Sequence, residues 1–246
     1  MSPNTVRPPR PHTGRTQDGR RLAQVTTYVH RGSRLGKEQA AVWERRRDEW
    51  WVSDEAVDDP AFDVRSTFDD PSAPLVVEIG SGIGEATAAL AAARPSYNVL
   101  AFEVWRPGVA QTFMRLEDRG VKNVRMVSVD AVWSVEHLLG EGEVAELWTF
   151  FPDPWPKKRH HRRRLVSPGF ASVAASRLTP GGLWRLATDW PDYADQMVGV
   201  LGAEPLLESM YDGPAPRWDE RPLTRFERRG MRAGRPITDL AYRRRS

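Results

Sequence analysis

Residues 75–85 read Leu-Val-Val-Glu-Ile-Gly-Ser-Gly-Ile-Gly-Glu. The first five form a short apolar run interrupted only by Glu78, which suits a buried strand. Glycines at 80, 82 and 84 follow; without a Cβ, each lets the backbone turn tightly and lets a ligand approach it. Ala86–Ala93 then continues as an alanine-rich helix that ends near Arg94 and Pro95. A strand that runs through a glycine turn into a helix is the opening unit of a parallel α/β sheet.

The same rhythm continues downstream. Asn98–Phe102, Val124–Val129, Val144–Phe150 and Leu183–Ala187 read as strands, and Gly108–Arg119, Val132–Leu139, Ser167–Leu178 and Tyr193–Leu201 as helices. Strands alternating with helices imply a mostly parallel sheet covered on both faces. Right-handed crossovers place every strand's carboxyl end along one edge, where ligands bind. This α/β domain is expected over residues 75–246. Upstream, residues 1–20 are rich in Pro, Arg, Gly and Thr and read as a disordered basic tail. Residues 21–52 read as an arm followed by an amphipathic helix from Lys37 to Trp51, with Ala40, Trp43, Arg47 and Trp50 near one face. Residues 53–74 are acidic, carry Pro60, Pro71 and Pro74, and read as a linker.

Composition bounds the chemistry. The 246 residues fit one domain with tails. No apolar stretch reaches the roughly 18 residues of a membrane span, and the N-terminus has no secretory pattern. The absence of cysteine excludes disulfides, thiolate metal sites and cysteine nucleophiles, and points to a cytoplasmic protein. The net charge of +3 is unevenly spread: residues 1–47 carry +8, residues 48–150 carry −12 and residues 151–246 carry +7. Basic parts flanking an acidic middle suggest a polyanionic partner, although a solvated basic tail has the same composition.

A dinucleotide fingerprint, Gly-x-Gly-x-x-Gly, would need glycine at position 85, where Glu85 stands. A glutamate there competes with a pyrophosphate for the same helix dipole. S-adenosylmethionine carries no phosphate and presents a sulfonium and an ammonium, which an acidic turn suits. The glycines alone would also fit a purely structural turn. The succession of acids sharpens the reading. Glu78 lies in the first strand, Glu103 closes the second at the spacing of a ribose-gripping acid, and Asp130 closes the third, placed to accept from an adenine amino group. Gly80, Gly82, Gly84, Glu78, Glu103 and Asp130 are therefore the candidate cofactor contacts. This segment resembles the class I methyltransferases.

After the fourth strand come Phe150-Phe151-Pro152-Asp153-Pro154-Trp155-Pro156-Lys157-Lys158. Two prolines flanking Asp153 reduce the entropy of holding its carboxylate in place. The aromatics could offer surface to a base, with Trp155 the better candidate for an exposed role. This block, the basic run after it, Ala187-Thr188-Asp189-Trp190 and Thr224-Arg225-Phe226-Glu227 are similar to the motif series of the bacterial tRNA (guanine-N7)-methyltransferases. Arg21 through Gln39 is similar to that family's N-terminal arm.

The resemblance implies a Rossmann-like class I fold with a seven-stranded sheet, S-adenosyl-L-methionine as cofactor, and tRNA as partner. It implies a variable-loop guanine, position 46, as the target. It further implies Asp153 as the catalytic acid, which also contacts the cofactor. Lys157, Asp189, Thr224, Arg225, Phe226 and Glu227 become substrate contacts, and Arg159, His160, His161, Arg162, Arg163 and Arg164 an RNA-interacting loop. Position 156 is proline where other members carry histidine. No metal is expected, because the two histidines sit among cations that would repel one. The protein is expected to act as a monomer or homodimer.

Guanine N7 offers an in-plane lone pair and no proton, so its methylation needs alignment and electrostatics rather than a base. Carboxylates of Asp153, Asp189 or Glu227 could accept from the guanine N1–H and N2–H₂ donors. A second basic group, Arg225, Arg228, Arg229, Arg232 and Arg235, could face phosphates, while Arg243–Arg245 reads as a solvated tail. Two other readings stay open. An amino-group base methyltransferase would place a similar Pro-rich turn after the fourth strand, but in a different order and without the basic run. An RNA-binding protein that has lost catalysis would not need Glu78, Glu103, Asp130 and Asp153 together, and cofactor binding would separate it.

Overall fold

A computed structural model describes residues 26–28 and 32–246. The expected tail over residues 1–20 lies outside them. The helices are α1 (Lys37–Trp50), α2 (Asp54–Asp58), α3 (Glu85–Ala93), α4 (Arg106–Arg119), α5 (Ala131–His137), α6 (Pro168–Arg177), α7 (Pro191–Gly202) and α8 (Arg225–Arg232). The strands are β1 (Leu75–Ile79), β2 (Asn98–Phe102), β3 (Val124–Val127), β4 (Val144–Phe150), β5 (Leu178–Thr188), β6 (Leu207–Ser209) and β7 (Thr238–Arg244). They form one seven-stranded sheet in the order β3-β2-β1-β4-β5-β7-β6. The pairs from β3 through β5 are parallel, and β7 runs antiparallel between β5 and β6. This is the Rossmann-like α/β architecture expected.

Every residue of β1 and β2 is buried, as in a parallel strand covered on both faces. On one face α1, α3 and α4 enclose Val76, Val99, Phe113 and Trp148. On the other, α5, α6 and α7 enclose Val77, Leu100, Phe170 and Trp184. The α1 helix enters the first layer through Val42, Trp43 and Trp50. Trp43 stacks on Phe113 at 5.4 Å between ring centres, and the Trp50 indole donates to the Val121 carbonyl at 3.1 Å. Of the face expected from the sequence, Ala40 and Arg47 are exposed; the two indoles set the helix's rotation.

Two further expectations are corrected. Residues 53–74 are packed structure rather than a linker: Val57, Val64 and Phe68 are buried against the second core layer. Arg125 stacks over Phe68 at 5.0 Å and donates to the Thr67 carbonyl at 2.8 Å. Arg243 and Arg244 belong to β7 rather than to a solvated tail. Arg243 pairs with Glu208 at 2.6 Å, Arg244 donates to the Ser176 carbonyl at 3.1 Å, and Arg245 to the Leu207 carbonyl at 3.1 Å.

Candidate active site

Strand order reverses between β1 and β4, and the crevice outside their carboxyl ends is where an open α/β sheet receives a ligand. Gly80, Gly82 and Gly84 adopt φ of +75°, +61° and +72°, conformations in which a Cβ would be strained. The first turn is fixed from below, since the Gly80 N–H donates to the Phe102 carbonyl at 2.9 Å. Gly80 and Gly82 line the pocket. Gly84 instead caps α3 against α4, where a Cβ would lie 2.5 Å from Thr112, so its part is to bring helix and strand close together.

Glu103 ties this turn to the next one. Its two carboxylate oxygens accept from the Gly82 N–H and the Trp105 N–H, each at 2.7 Å. Asp130 caps α5 by accepting from the Val132 and Trp133 N–H groups at 3.0 and 3.3 Å, and its neighbours Val129 and Ala131 line the pocket. Asp153 lines the opposite wall. Glu78 lies in an adjoining recess bordered by Gly80, Ser81 and Phe226. It is buried, and its carboxylate accepts from the Thr87 hydroxyl at 2.5 Å. Burial pushes its carboxyl up to about 7; the Thr87 bond opposes that shift and the Glu103 charge adds to it. Of the four acids of the sequence reading, Glu103 and Asp153 line one pocket, Glu78 lies in the recess beside it, and Asp130 caps α5 between two residues of the pocket wall.

The pocket tests which cofactor fits. Ile79, Phe102, Val129, Phe151, Leu165 and Phe226 supply apolar surface, Glu103 and Asp153 supply carboxylates, and the described residues lining it include no lysine or arginine. A phosphate would find no countercharge there, whereas a cationic donor with a flat base finds two carboxylates and apolar walls. Glu85 does not contribute as expected. Its carboxylate accepts from the Arg225 N–H and pairs with Arg228 at 2.6 Å, which docks α8 beside the glycine turn.

The acceptor loop is stiff. Phe151 and Trp155 hold left-handed φ of 54° and 46°, each costing on the order of 1–3 kcal/mol. The Phe151 N–H donates to the Ala187 carbonyl at 2.7 Å, and the Trp155 indole donates to the Thr27 carbonyl at 3.1 Å. Trp155 is half-buried, with Arg163 over its ring at 4.9 Å and His160 edge-on at 5.8 Å. Its role is packing rather than the exposed one expected.

The basic run folds as a 3-10 helix, Lys158–Arg163. Lys157, Lys158, Arg159 and Arg162 are exposed, and His160, His161 and Arg163 are partly so. Arg164 corrects the sequence reading. It is buried and donates to the Pro154 carbonyl, to Gln196 and to Asp192, at 2.9, 2.8 and 2.5 Å. A guanidinium so enclosed anchors the acceptor loop and does not reach RNA.

The third motif is also mainly architectural. Thr224 caps α8, accepting from the Glu227 N–H at 3.3 Å. Phe226 lies 3.5 Å from where a Gly82 Cβ would stand and lines the pocket. Arg225 is exposed. Glu227 is buried between Arg217 at 2.7 Å and Arg221 at 2.9 Å, so its carboxylate is committed and does not serve the base clamp considered from the sequence. Asp189 accepts from Arg235 at 2.6 and 2.8 Å. Trp105, Gly108, Arg221 and Tyr28 also shape the site and were not singled out by the sequence, in which Gly108 is read only as the start of a helix.

A family model described as "Putative methyltransferase" matches residues 72–240. A Nocardioides protein called tRNA (guanine-N(7)-)-methyltransferase is 60% identical over 244 residues, covering 99% of this chain and 97% of that one. The chain belongs to the tRNA (guanine-N7)-methyltransferase family. A Bordetella parapertussis relative with the same description is 44% identical over 220 residues, 89% of this chain and 85% of its own. Among solved structures, the 16S rRNA methyltransferase KamB superposes with a TM-score of 0.52 at 19% identity, covering 79% of this chain and 95% of that one, which supports the fold. Membership makes this chain a methyltransferase with S-adenosyl-L-methionine as donor. Among the described residues, no helix of this methyltransferase is long and apolar enough to cross a membrane, and no group of three His, Cys, Asp or Glu could hold a metal.

Proposed function

We propose that this methyltransferase modifies N7 of a variable-loop guanine in tRNA, position 46. The observation that carries the reading is the shared pocket of Glu103 and Asp153, which joins the glycine turn to the acceptor loop and is followed in the chain by exposed Lys157, Lys158, Arg159 and Arg162. Gly80, Gly82, Glu103, Asp130 and Asp153 would hold the donor, with Glu78 adding negative charge from below. S-adenosyl-L-methionine, when bound, supplies a methyl group on a cationic sulfonium.

The chain's residues orient and stabilise. Guanine N7 needs no deprotonation, so Asp153 acts as an acceptor and a fixed negative charge rather than as a base. Held between Pro152 and Pro154, it favours the positive charge that grows on the purine. Phe151 and Phe226 give the pocket apolar walls that exclude water. The cations at 157–162 bind phosphates, which supplies affinity and register but no base choice. The target is a loop base because extrusion costs least there.

Incubating the protein with labelled donor and tRNA, then digesting to nucleosides, tests this reading. Label in 7-methylguanosine from the variable loop is expected; label in another nucleoside would replace the reading. An RNA-binding protein without catalysis would incorporate none.

A further inference from the structure

Part of the chain's N-terminal arm borders the donor pocket. Thr27 and Tyr28 line it alongside Glu103, Ala131 and Asp153. Two indoles, one from each wall, hold the arm's backbone on either side of Tyr28. Trp155, on the acceptor loop, donates to the Thr27 carbonyl at 3.1 Å. Trp105, where α4 begins beside Glu103, donates to the Gly32 carbonyl at 2.8 Å. Each wall is itself rigid: Trp105 has its own N–H on Glu103, and Trp155 lies under Arg163. The wall that carries the acceptor loop thus fixes Thr27, and with it the neighbouring Tyr28, at the pocket's edge.

We propose that Tyr28 is a donor-binding residue that covers the nucleoside end of the methyl donor. The inference rests on the donor-site reading above. Its chemistry is that of an aromatic ring laid over a purine nucleoside, with a phenol that adds a hydrogen-bond donor at the Asp130 side. Burial, and after it the Asp130 charge, push the Tyr28 phenol up to about 12, so the hydroxyl keeps its proton across the working range. Because Trp155 belongs to the acceptor loop, its hydrogen bond to Thr27 ties the placing of Tyr28 to the setting of that loop. The side chain belongs to neither core layer.

Calorimetric titration of S-adenosylmethionine into the full chain and into Tyr28→Ala and Tyr28→Phe tests the inference. Tyr28→Ala is expected to bind the donor at least about tenfold more weakly, with unchanged thermal midpoint and tRNA affinity; Tyr28→Phe, which keeps the ring, is expected within about threefold of the parent. Equal donor affinity in the parent and Tyr28→Ala overturns the inference alone. A parent chain that fails to bind the donor overturns the donor-site reading and this inference with it.

Discussion

The buried Arg164 guanidinium donates to the Asp192 carboxylate at 2.5 Å although Asp192 itself is largely exposed. One arginine from a basic run has thus been withdrawn into the protein, where it joins the acceptor loop at Pro154 to the start of α7. Its neighbours Arg159 and Arg162 remain at the surface. Arg164→Ala is therefore expected to destabilise the fold by about 1–3 kcal/mol, since it takes the donor from the half-buried Pro154 carbonyl and Gln196. Urea unfolding reads this. Arg159→Ala and Arg162→Ala are expected to leave the unfolding midpoint alone while weakening tRNA binding. Each should make the dependence of log affinity on log salt shallower, by roughly one for every phosphate that the arginine neutralises in the parent.

Glu227 supports a second expectation. It is buried with Arg217 and Arg221, and Arg221 in turn pairs with Asp239 at 2.9 Å and lies 5.4 Å from the rings of Phe150 and Phe151. Removing Glu227 leaves Asp239 as the carboxylate paired with Arg221 and takes the partner from the part-exposed Arg217, so the cluster keeps one unmatched positive charge. Glu227→Ala is expected to cost about 3–5 kcal/mol, and Glu227→Gln less, because an amide still accepts from one arginine. If Glu227 mainly contacted substrate, both variants would instead unfold like the parent and lose only tRNA-dependent activity.

Much of the parallel half was legible from periodicity. β1, β2 and β4 begin and end where the mostly apolar runs do, because strands covered on both faces carry few polar residues, here Glu78, Asn98, Glu146 and Thr149. The four acids were legible because each lies in or just beyond a strand of that half. β6 and β7 were not distinguished by periodicity, since Arg243 and Arg244 in β7 satisfy their charges through Glu208 and backbone carbonyls, contacts that only the folded chain supplies. The same holds for Arg164, whose burial depends on Asp192 and Gln196, and for residues 53–74, whose buried Val57, Val64 and Phe68 are scattered among acids.

Two glycines separate space from conformation. A Cβ on Gly108 would lie 2.3 Å from the Gly82 carbonyl oxygen, a backbone atom of the donor turn, whereas one on Gly80 would meet nothing within 4 Å. Gly108→Ala is expected to push the turn out of place, costing about 1–3 kcal/mol and weakening donor binding more than tenfold. Gly80→Ala bears only the strain of its φ of +75°, about 1–2 kcal/mol. Calorimetry and thermal unfolding of the two variants compare them directly.

Glu78 links stability and donor affinity to pH. Its carboxyl in the fold titrates near 7, above the ordinary value of 4.5. Between these values the folded chain holds more protons than the unfolded chain, so stability falls as pH rises from about 4.5 to about 7. Glu78→Gln is expected to flatten that decline in urea unfolding curves taken at pH 5, 6 and 8. Donor affinity should move oppositely in the parent, rising as Glu78 ionises, because a cationic donor favours the carboxylate. A parent whose donor affinity is level through this range would remove Glu78 from the site's electrostatics.

Asp153 separates chemistry from binding. It stands in the donor pocket between two prolines, with Phe151 strained beside it. Its charge is expected to matter most where positive charge develops on the base, which is the transition state rather than the bound substrate. Asp153→Asn keeps shape and one acceptor but loses the charge, and should lower turnover by about 10²–10³ with tRNA affinity within about threefold. Asp153→Ala should lower turnover further and weaken donor binding as well, since it removes a wall of the pocket. Single-turnover rates with saturating tRNA, measured beside equilibrium tRNA binding, resolve the two effects. Near-parent turnover in both variants would take Asp153 out of the mechanism and leave alignment by Phe151, Phe226 and the basic helix as the source of the rate.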